Sequence, residues 1–208
     1  MGQYFEIHPV NPQARLIKQA VDIINNGGVI AYPTDSSYAL GCHLGDKGAL
    51  EKLRRIRRID EKHNLTLVCR DLSEIATYAK IENTDYRMLK SLTPGPYTFI
   101  LNATHEVPRR LMHPKRRTIG IRVVDHPVVQ ALLDELGQPL MSCTLVMPGE
   151  ELPVTDAEDV RDVLENQVDL IIDGGHCGFE PTTVIRLNEG VPQLRRQGKG
   201  KDHGLELD

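Results

Sequence analysis

The chain has little of what simple functional signatures need. No apolar run approaches the roughly 18 residues that cross a bilayer. Met1 to Pro9 holds neither the basic start nor the apolar core of a signal segment, so a cytoplasmic location and no membrane partner are expected. The four cysteines, Cys42, Cys69, Cys143 and Cys177, form no C-x-x-C pair. Three sit in or beside apolar runs, so buried, reduced thiols are expected rather than disulfides or metal ligands. The eight histidines are dispersed, with no H-x-x-x-H pair on an expected helix, and no protein-built metal site is assigned. Neither G-x-x-x-x-G-K-[ST] nor G-x-G-x-x-G occurs, which removes the two common nucleotide loops. No Cys–His, Ser–His–Asp or paired-carboxylate set stands out, so no catalytic nucleophile or acid–base pair is assigned. Repeats and low-complexity linkers are absent too.

What is present fits one domain with a substantial core, expected over residues 1–198 of the 208, with 199–208 as a polar, mobile tail. Hydrophobic residues at 40% and charged residues at 26% are ordinary for a soluble globular chain. The net charge of −4 predicts no nucleic acid by itself, but the basic residues are clustered. They concentrate at Lys52–Arg58, at Arg109–Arg110, at Lys115–Arg117 with Arg122, and at Arg195–Lys201. Each cluster alone reads as a solvated face; if the segments converge, they make one face positive.

The richest stretch is Val29 to Gly41, V-I-A-Y-P-T-D-S-S-Y-A-L-G. A β-branched run stops at Pro33, and a turn crowded with hydrogen-bonding groups follows, then a second short element. Polar groups at the end of a core strand need polar partners, and in an open sheet that place is a ligand cleft. Helical periods are expected around Leu16–Ile24, over Gly48–Arg57 behind an Asp46 cap, and over Asp71–Tyr78, Thr84–Ser91, Pro127–Leu136 and Ala157–Leu164. Strands are expected at Val29–Pro33, Leu65–Cys69, Tyr97–Asn102, Thr118–Val124, Pro139–Leu145 and Leu170–Asp173. A closing hairpin is expected from Thr183–Asn188 and Pro192–Gln197. Strands and helices alternate loosely, which predicts an α/β fold with a twisted, open, mixed sheet flanked by helices.

Six loops at strand ends are polar or glycine-rich: Thr34–Ser37, Thr93–Thr98, the surroundings of Thr118 and Arg122, Ser142–Thr144, Pro181–Thr183 after Gly174-Gly175, and Arg196–Gly198. Hydroxyls and arginines without a nucleophile point to binding and positioning of an anion. In order, these segments resemble the YrdC/YciO-type family of threonylcarbamoyl-AMP synthases, and its YciO branch in particular. The resemblance runs from about Ile7 to Gly198. It rests on G-G-V-I-A-Y-P-T-D-S-S-Y-A-L-G-C, T-P-G-P-Y-T-F-I-L, T-I-G-I-R-V-V-D-H-P, P-L-M-S-C-T, D-G-G…P-T-T-V-I and L-R-R-Q-G.

The resemblance implies a concave, positive cleft. It implies condensation of L-threonine, bicarbonate and ATP into L-threonylcarbamoyladenylate with release of pyrophosphate, for threonylcarbamoyladenosine formation on tRNA. Mg²⁺ would accompany the nucleotide. Position by position, Thr34 would contact threonine, with Tyr38 shaping the same wall. Thr118 and Arg122 would hold carbamate, carboxylate or phosphate groups, Thr182 and Arg196 would lie around the nucleotide, and Pro94 and Gly95 would stiffen the cleft wall.

Two segments depart from the pattern of active synthases. Where the family has K-x-R, this chain has Arg55-Ile56-Arg57 and then a longer connection to Leu65. Where it has S-T-S-A-N, this chain has Ser142-Cys143-Thr144-Leu145-Val146, so Thr144 keeps a hydroxyl and Val146 keeps no polar atom. A lost polar contact of that kind costs about 1–3 kcal/mol. A weakened or diverged synthase is therefore expected. The alternatives are a double-stranded RNA- or tRNA-binding protein on the basic cleft, and an enzyme acting on another acyl-adenylate.

Overall fold

A computed structural model describes residues 2–207; Met1 and Asp208 lie outside the described residues. A single ten-stranded mixed sheet runs through the molecule in the order β1-β8-β2-β3-β7-β4-β6-β5-β9-β10. Its strands are β1 Gln3–Glu6, β2 Ile30–Tyr32, β3 Ala39–His43, β4 Thr66–Val68, β5 Tyr97–Asn102, β6 Thr118–Arg122, β7 Leu140–Thr144, β8 Leu170–Asp173, β9 Thr183–Asn188 and β10 Val191–Arg196. The helices are α1 Ala14–Asn25, α2 Lys47–Arg57, α3 Leu72–Tyr78, α4 Asn83–Leu92, α5 Pro127–Leu136 and α6 Ala157–Leu164. β1 and β2 flank β8 in parallel, and β4/β6 and β5/β9 are also parallel. β2/β3, β3/β7, β4/β7, β5/β6 and β9/β10 are antiparallel. This is the mixed α/β architecture that the sequence pattern predicts.

Local chemistry starts and stops these elements where the sequence implies. The Asp46, Asp71 and Asp156 carboxylates each accept a backbone N–H of the first turn they cap, worth about 1 kcal/mol apiece. α5 begins with Pro127 at its first turn and stops at Gly137, whose φ of +73° closes the C-terminus without a Cβ clash.

The β2 strand is buried on both faces. Ala31 joins one apolar cluster with α2 and α6, while Ile30 and Tyr32 join a second with α1 and α5. Farther along the sheet, the two-residue period of a strand divides core from cleft. Leu67, Phe99, Ile119, Ile121, Met141 and Ile185 point into the first cluster. Their neighbours Thr66, Thr98, Ile100, Thr118, Gly120, Arg122, Ser142 and Val184 line an open concavity. Gly120 keeps its floor low: a Cβ there would come within 3.2 Å of the Thr66 hydroxyl and 3.3 Å of Thr98.

Two differences from the sequence reading concern the ends of the chain. Met1–Pro9 suggests no element, yet Gln3–Glu6 forms β1 beside β8, with the backbone of Gly2 donating to Glu165 O. Residues 199–207, read as a tail beyond the domain, lie along the sheet edge. Thr183 Oγ1 donates to Gly200 O at 2.5 Å, Tyr97 Oη donates to Lys201 O at 3.0 Å, and Leu207 bridges in parallel to Leu194. All four cysteines are buried with free thiols. Among the described residues no helix is long and apolar enough to cross a membrane.

Candidate functional site

The concavity on the sheet encloses about 770 Å³. Its floor comes from β3 to β7 and β9, one rim from the end of α2 and the connection to β4, and the other from loops 146–153 and 179–182. Arg54, Arg57, Lys62, Arg122 and Arg196 face it, against the carboxylates of Glu61 and Glu151 only. A protein of net charge −4 thus concentrates positive charge in this cleft.

Of the sequence-assigned residues, Arg57, Thr118, Arg122, Ser142, Thr144, Thr182 and Arg196 come together here. Thr34, Tyr38 and Arg55 do not line it. The Thr34 hydroxyl donates to Ser37 O at 2.6 Å and accepts from the backbone of Ser36 and Ser37 at 3.1 Å. It is consumed in holding its own turn. Tyr38 is fully buried, with its hydroxyl donating to Gly175 O at 2.7 Å, so it props the wall from behind. Arg55 is exposed on the outer side of α2. The helix turns 100° per residue, so the cleft-facing partner of Arg57 is Arg54, three residues back and one turn away. That i, i+3 spacing was the available signal for Arg54. Pro94 and Gly95 are likewise outside the lining, where the Gly95 N–H ties the turn to Val123 O.

Arg122, at the end of β6, is held from one side. Its Nη2 donates to Asp35 Oδ1 at 2.6 Å and to Ser36 Oγ at 3.3 Å. The pair is nearly dry, with side chains 8% and 9% exposed. Arg196 wraps Thr182, donating from Nε and Nη2 to Thr182 O at 3.0 and 2.8 Å and from Nη2 to Thr182 Oγ1 at 3.0 Å. Thr98 Oγ1 shares a 2.7 Å hydrogen bond with the same hydroxyl. Burial, and then the neighbouring Arg122 charge, pull the Arg196 guanidinium below its usual range. An anion arriving beside the two cations would gain from both charges.

On the opposite rim, Arg57 donates from Nη1 to the carbonyl of Thr144, and Arg54 donates to Arg110 O at 3.3 Å. The Ser142 hydroxyl donates to Leu40 O at 2.9 Å and pairs with Tyr32 Oη at 2.5 Å. Its proton is taken, so it offers the cleft an acceptor only. Val146 lines the cleft and offers it no polar side-chain atom. Burial pushes the Cys143 thiol up to about 11 despite Arg57 beside it, so it stays protonated at neutral pH and makes a poor nucleophile. His63, on the connection after α2, is pulled down by burial and then by Arg57, which favours a neutral ring.

Four buried side-chain polar atoms lack a hydrogen-bond partner among the described residues: Arg54 Nε, Arg57 Nε, Arg122 Nε and Asp85 Oδ1. Three of the four belong to guanidinium groups on this one cleft. A buried donor on a charged group costs more than the 1–3 kcal/mol of a neutral one when left unmade.

Comparison with known proteins agrees with the geometry. The family model described as telomere recombination, Sua5/YciO/YrdC, matches residues 22–198. The crystal structure of E. coli YciO superposes with a TM-score of 0.93 at 55% identity, covering 97% of this chain and 98% of that one. A threonylcarbamoyl-AMP synthase of Vibrio vulnificus is 32% identical over 185 residues, 88% of this chain and 98% of the synthase. The structure of P. abyssi Sua5 complexed with L-threonine superposes with a TM-score of 0.85 at 25% identity, over 94% of this chain and 57% of Sua5. With the family model matched over residues 22–198 and relatives of 55% and 32% identity covered over most of their length, the chain belongs to the Sua5/YciO/YrdC family.

Proposed function

We propose that the cleft binds ATP together with L-threonine and bicarbonate and forms L-threonylcarbamoyladenylate weakly, or makes a closely related acyl-adenylate. The observation that carries this reading is the convergence of Arg54, Arg57, Arg122 and Arg196 on one concave surface. The relatives supply the chemistry: a synthase at 32% identity and a Sua5 structure holding L-threonine. In the reaction that the synthase pattern implies, a carbamate oxygen displaces pyrophosphate from the α-phosphorus of ATP. Such a step asks the protein for orientation and charge stabilisation rather than for a nucleophile.

Arg122 and Arg196 would hold the carboxylate or carbamate and the α-phosphate, and Arg54 and Arg57 the distal phosphates. Thr118, whose hydroxyl is engaged by no other side chain among the described residues, would donate a neutral hydrogen bond. The residues do not build a magnesium site. Among the described residues no group of three or more His, Cys, Asp or Glu side chains converges, and Asp35 is committed to Arg122. An ion arriving with the nucleotide would take its ligands from phosphates and water. Val146 in place of the amide accounts for the weakness.

Pyrophosphate release from ATP tests the reading. Release that requires both L-threonine and bicarbonate is the expected result. No release above a heat-killed control, together with no ATP binding, overturns it.

A second reading has its own observation. Beside the cleft, across Met112 and His113, lies a hollow of about 830 Å³ rimmed by Lys80, Arg109, Arg116 and Arg117. These four exposed side chains make no hydrogen bond or ion pair among the described residues. RNA would suit them through its phosphates, and binding would then weaken steeply between low and physiological salt. Affinity that stays flat over that range removes this reading.

A further inference from the structure

Asp35 is unusually constrained for a turn residue. One carboxylate oxygen, Oδ1, accepts from Arg122 Nη2 at 2.6 Å, and the other, Oδ2, accepts the backbone N–H of Asp125 at 2.8 Å. Its own carbonyl accepts from Lys199 Nζ at 2.5 Å, across 164 residues of chain. The Thr34 hydroxyl fixes the turn from within. Two contacts on the carboxylate and one on the carbonyl, on a turn that Thr34 fixes from within, therefore hold this side chain in one position.

Stability alone does not account for such a pair. Drying a carboxylate and a guanidinium to under a tenth exposure costs roughly what their attraction returns, and apolar side chains of the same volume would serve the fold about as well. What the pair does deliver is orientation. Arg122 has a long, rotamer-rich side chain, and only one end of its fork is held. Its Nε is buried without a partner while the guanidinium faces the cleft. Arg196 stands close by, with no carboxylate partner among the described residues. Without Asp35, repulsion between the two cations would drive Arg122 out of its present pose.

We infer that Asp35 is a positioning residue of the anion site: it never touches the ligand, but holds the Arg122 guanidinium in the pose in which it lines the cleft. The inference rests on the anion-binding reading above for its consequence, though not for the position of Arg122. The ordering cost is met during folding, so binding does not have to meet it again.

The test reads Arg122 itself. In protein labelled with ¹⁵N-arginine, the Arg122 Nε–H line, identified by its absence from Arg122→Lys, is expected to be separate and slow to exchange with water. In Asp35→Ala it is expected to merge with the mobile arginines, and the dissociation constant for inorganic pyrophosphate is expected to rise about tenfold. Asp35→Asn keeps the volume and one acceptor but not the charge, and serves if Asp35→Ala does not fold. It should broaden the same line and weaken pyrophosphate binding about threefold.

In an Arg122→Ala background, Asp35→Ala should weaken binding less than about twofold further, because the two act through one contact. A merely structural Asp35 would instead cost the same in both backgrounds. An Arg122 line unchanged in the folded Asp35 variant, or equal losses in the two backgrounds, overturns the inference. If the wild type binds neither pyrophosphate nor ATP, the proposed function fails, and the Nε line still decides the role of Asp35.

Discussion

The two walls of the cleft are built on different plans. On the wall of β6, β9 and β10, each cation has a fixed protein partner: Asp35 for Arg122, the Thr182 backbone and hydroxyl for Arg196. On the wall of α2 and β7, Arg54 and Arg57 reach in from the last turn of a helix and lean on backbone carbonyls. They face a hydrocarbon side chain at Val146. The first wall carries Thr118, Arg122, Thr182 and Arg196, the second Arg54, Arg57, Thr144 and Val146. An ordered wall commits to where charge sits. A wall of half-held arginines commits only to its sign, and so tolerates a change of ligand more readily.

Breaking the ordered wall should cost most. Arg122→Ala is expected to weaken ATP or pyrophosphate binding by about 10–100-fold, through the loss of a desolvated charge-assisted contact, as read by calorimetry. A loss under threefold would mean that the ordered wall is structural only. Arg57→Ala on the other wall should cost less, about tenfold or below, since its guanidinium already spends one donor on Thr144 O.

Between these effects and the small ones lies a pH effect. The Cys143 thiol is raised to about 11, so the unfolded chain loses this proton at lower pH than the folded one does. The stability it contributes is therefore complete below the ordinary thiol range and is lost as pH rises toward about 11. Denaturant melts at pH 8 and pH 10 should show Cys143→Ala losing less stability over that interval than the wild type, by about 1 kcal/mol. Equal losses would contradict the burial of this thiol.

Val146→Asn should sharpen the contrast by giving the second wall back an amide, with a gain of about threefold in pyrophosphate release. No gain would mean that this wall has been remodelled beyond one residue. Arg55→Ala should change binding by less than about twofold, while Arg54→Ala does more. The reverse order would put the cleft on the other side of α2.

Much of the fold was legible because its signals are local. Tyr97–Asn102, Pro127–Leu136, Ala157–Leu164, Leu170–Asp173 and Thr183–Asn188 form the elements that their periodicity predicts, with the same limits. β1 was not legible. Gln-Tyr-Phe-Glu has no alternation of its own and becomes a strand only because β8 offers it an edge. The segment 199–207 reads as polar tail for the same reason: its anchors, Thr183 and Tyr97, are far away in sequence.

Within the site, residue type was legible and direction was not. Thr34 and Tyr38 have the right chemistry for a ligand wall, but their hydroxyls are taken up by the turn and by Gly175. Arg55 has the right charge, yet sits one residue out of phase on its helix. The sequence by itself determined the mixed sheet, the family, and a surplus of arginine and hydroxyl side chains at strand ends. Only the tertiary structure decided which of them share one cavity, which are spent on neighbours, and that Asp35 and Arg122, 87 residues apart, meet as a buried pair. Periodicity and composition are properties of short windows of chain. The free donors of a cleft are whatever remains after contacts between distant windows have been made.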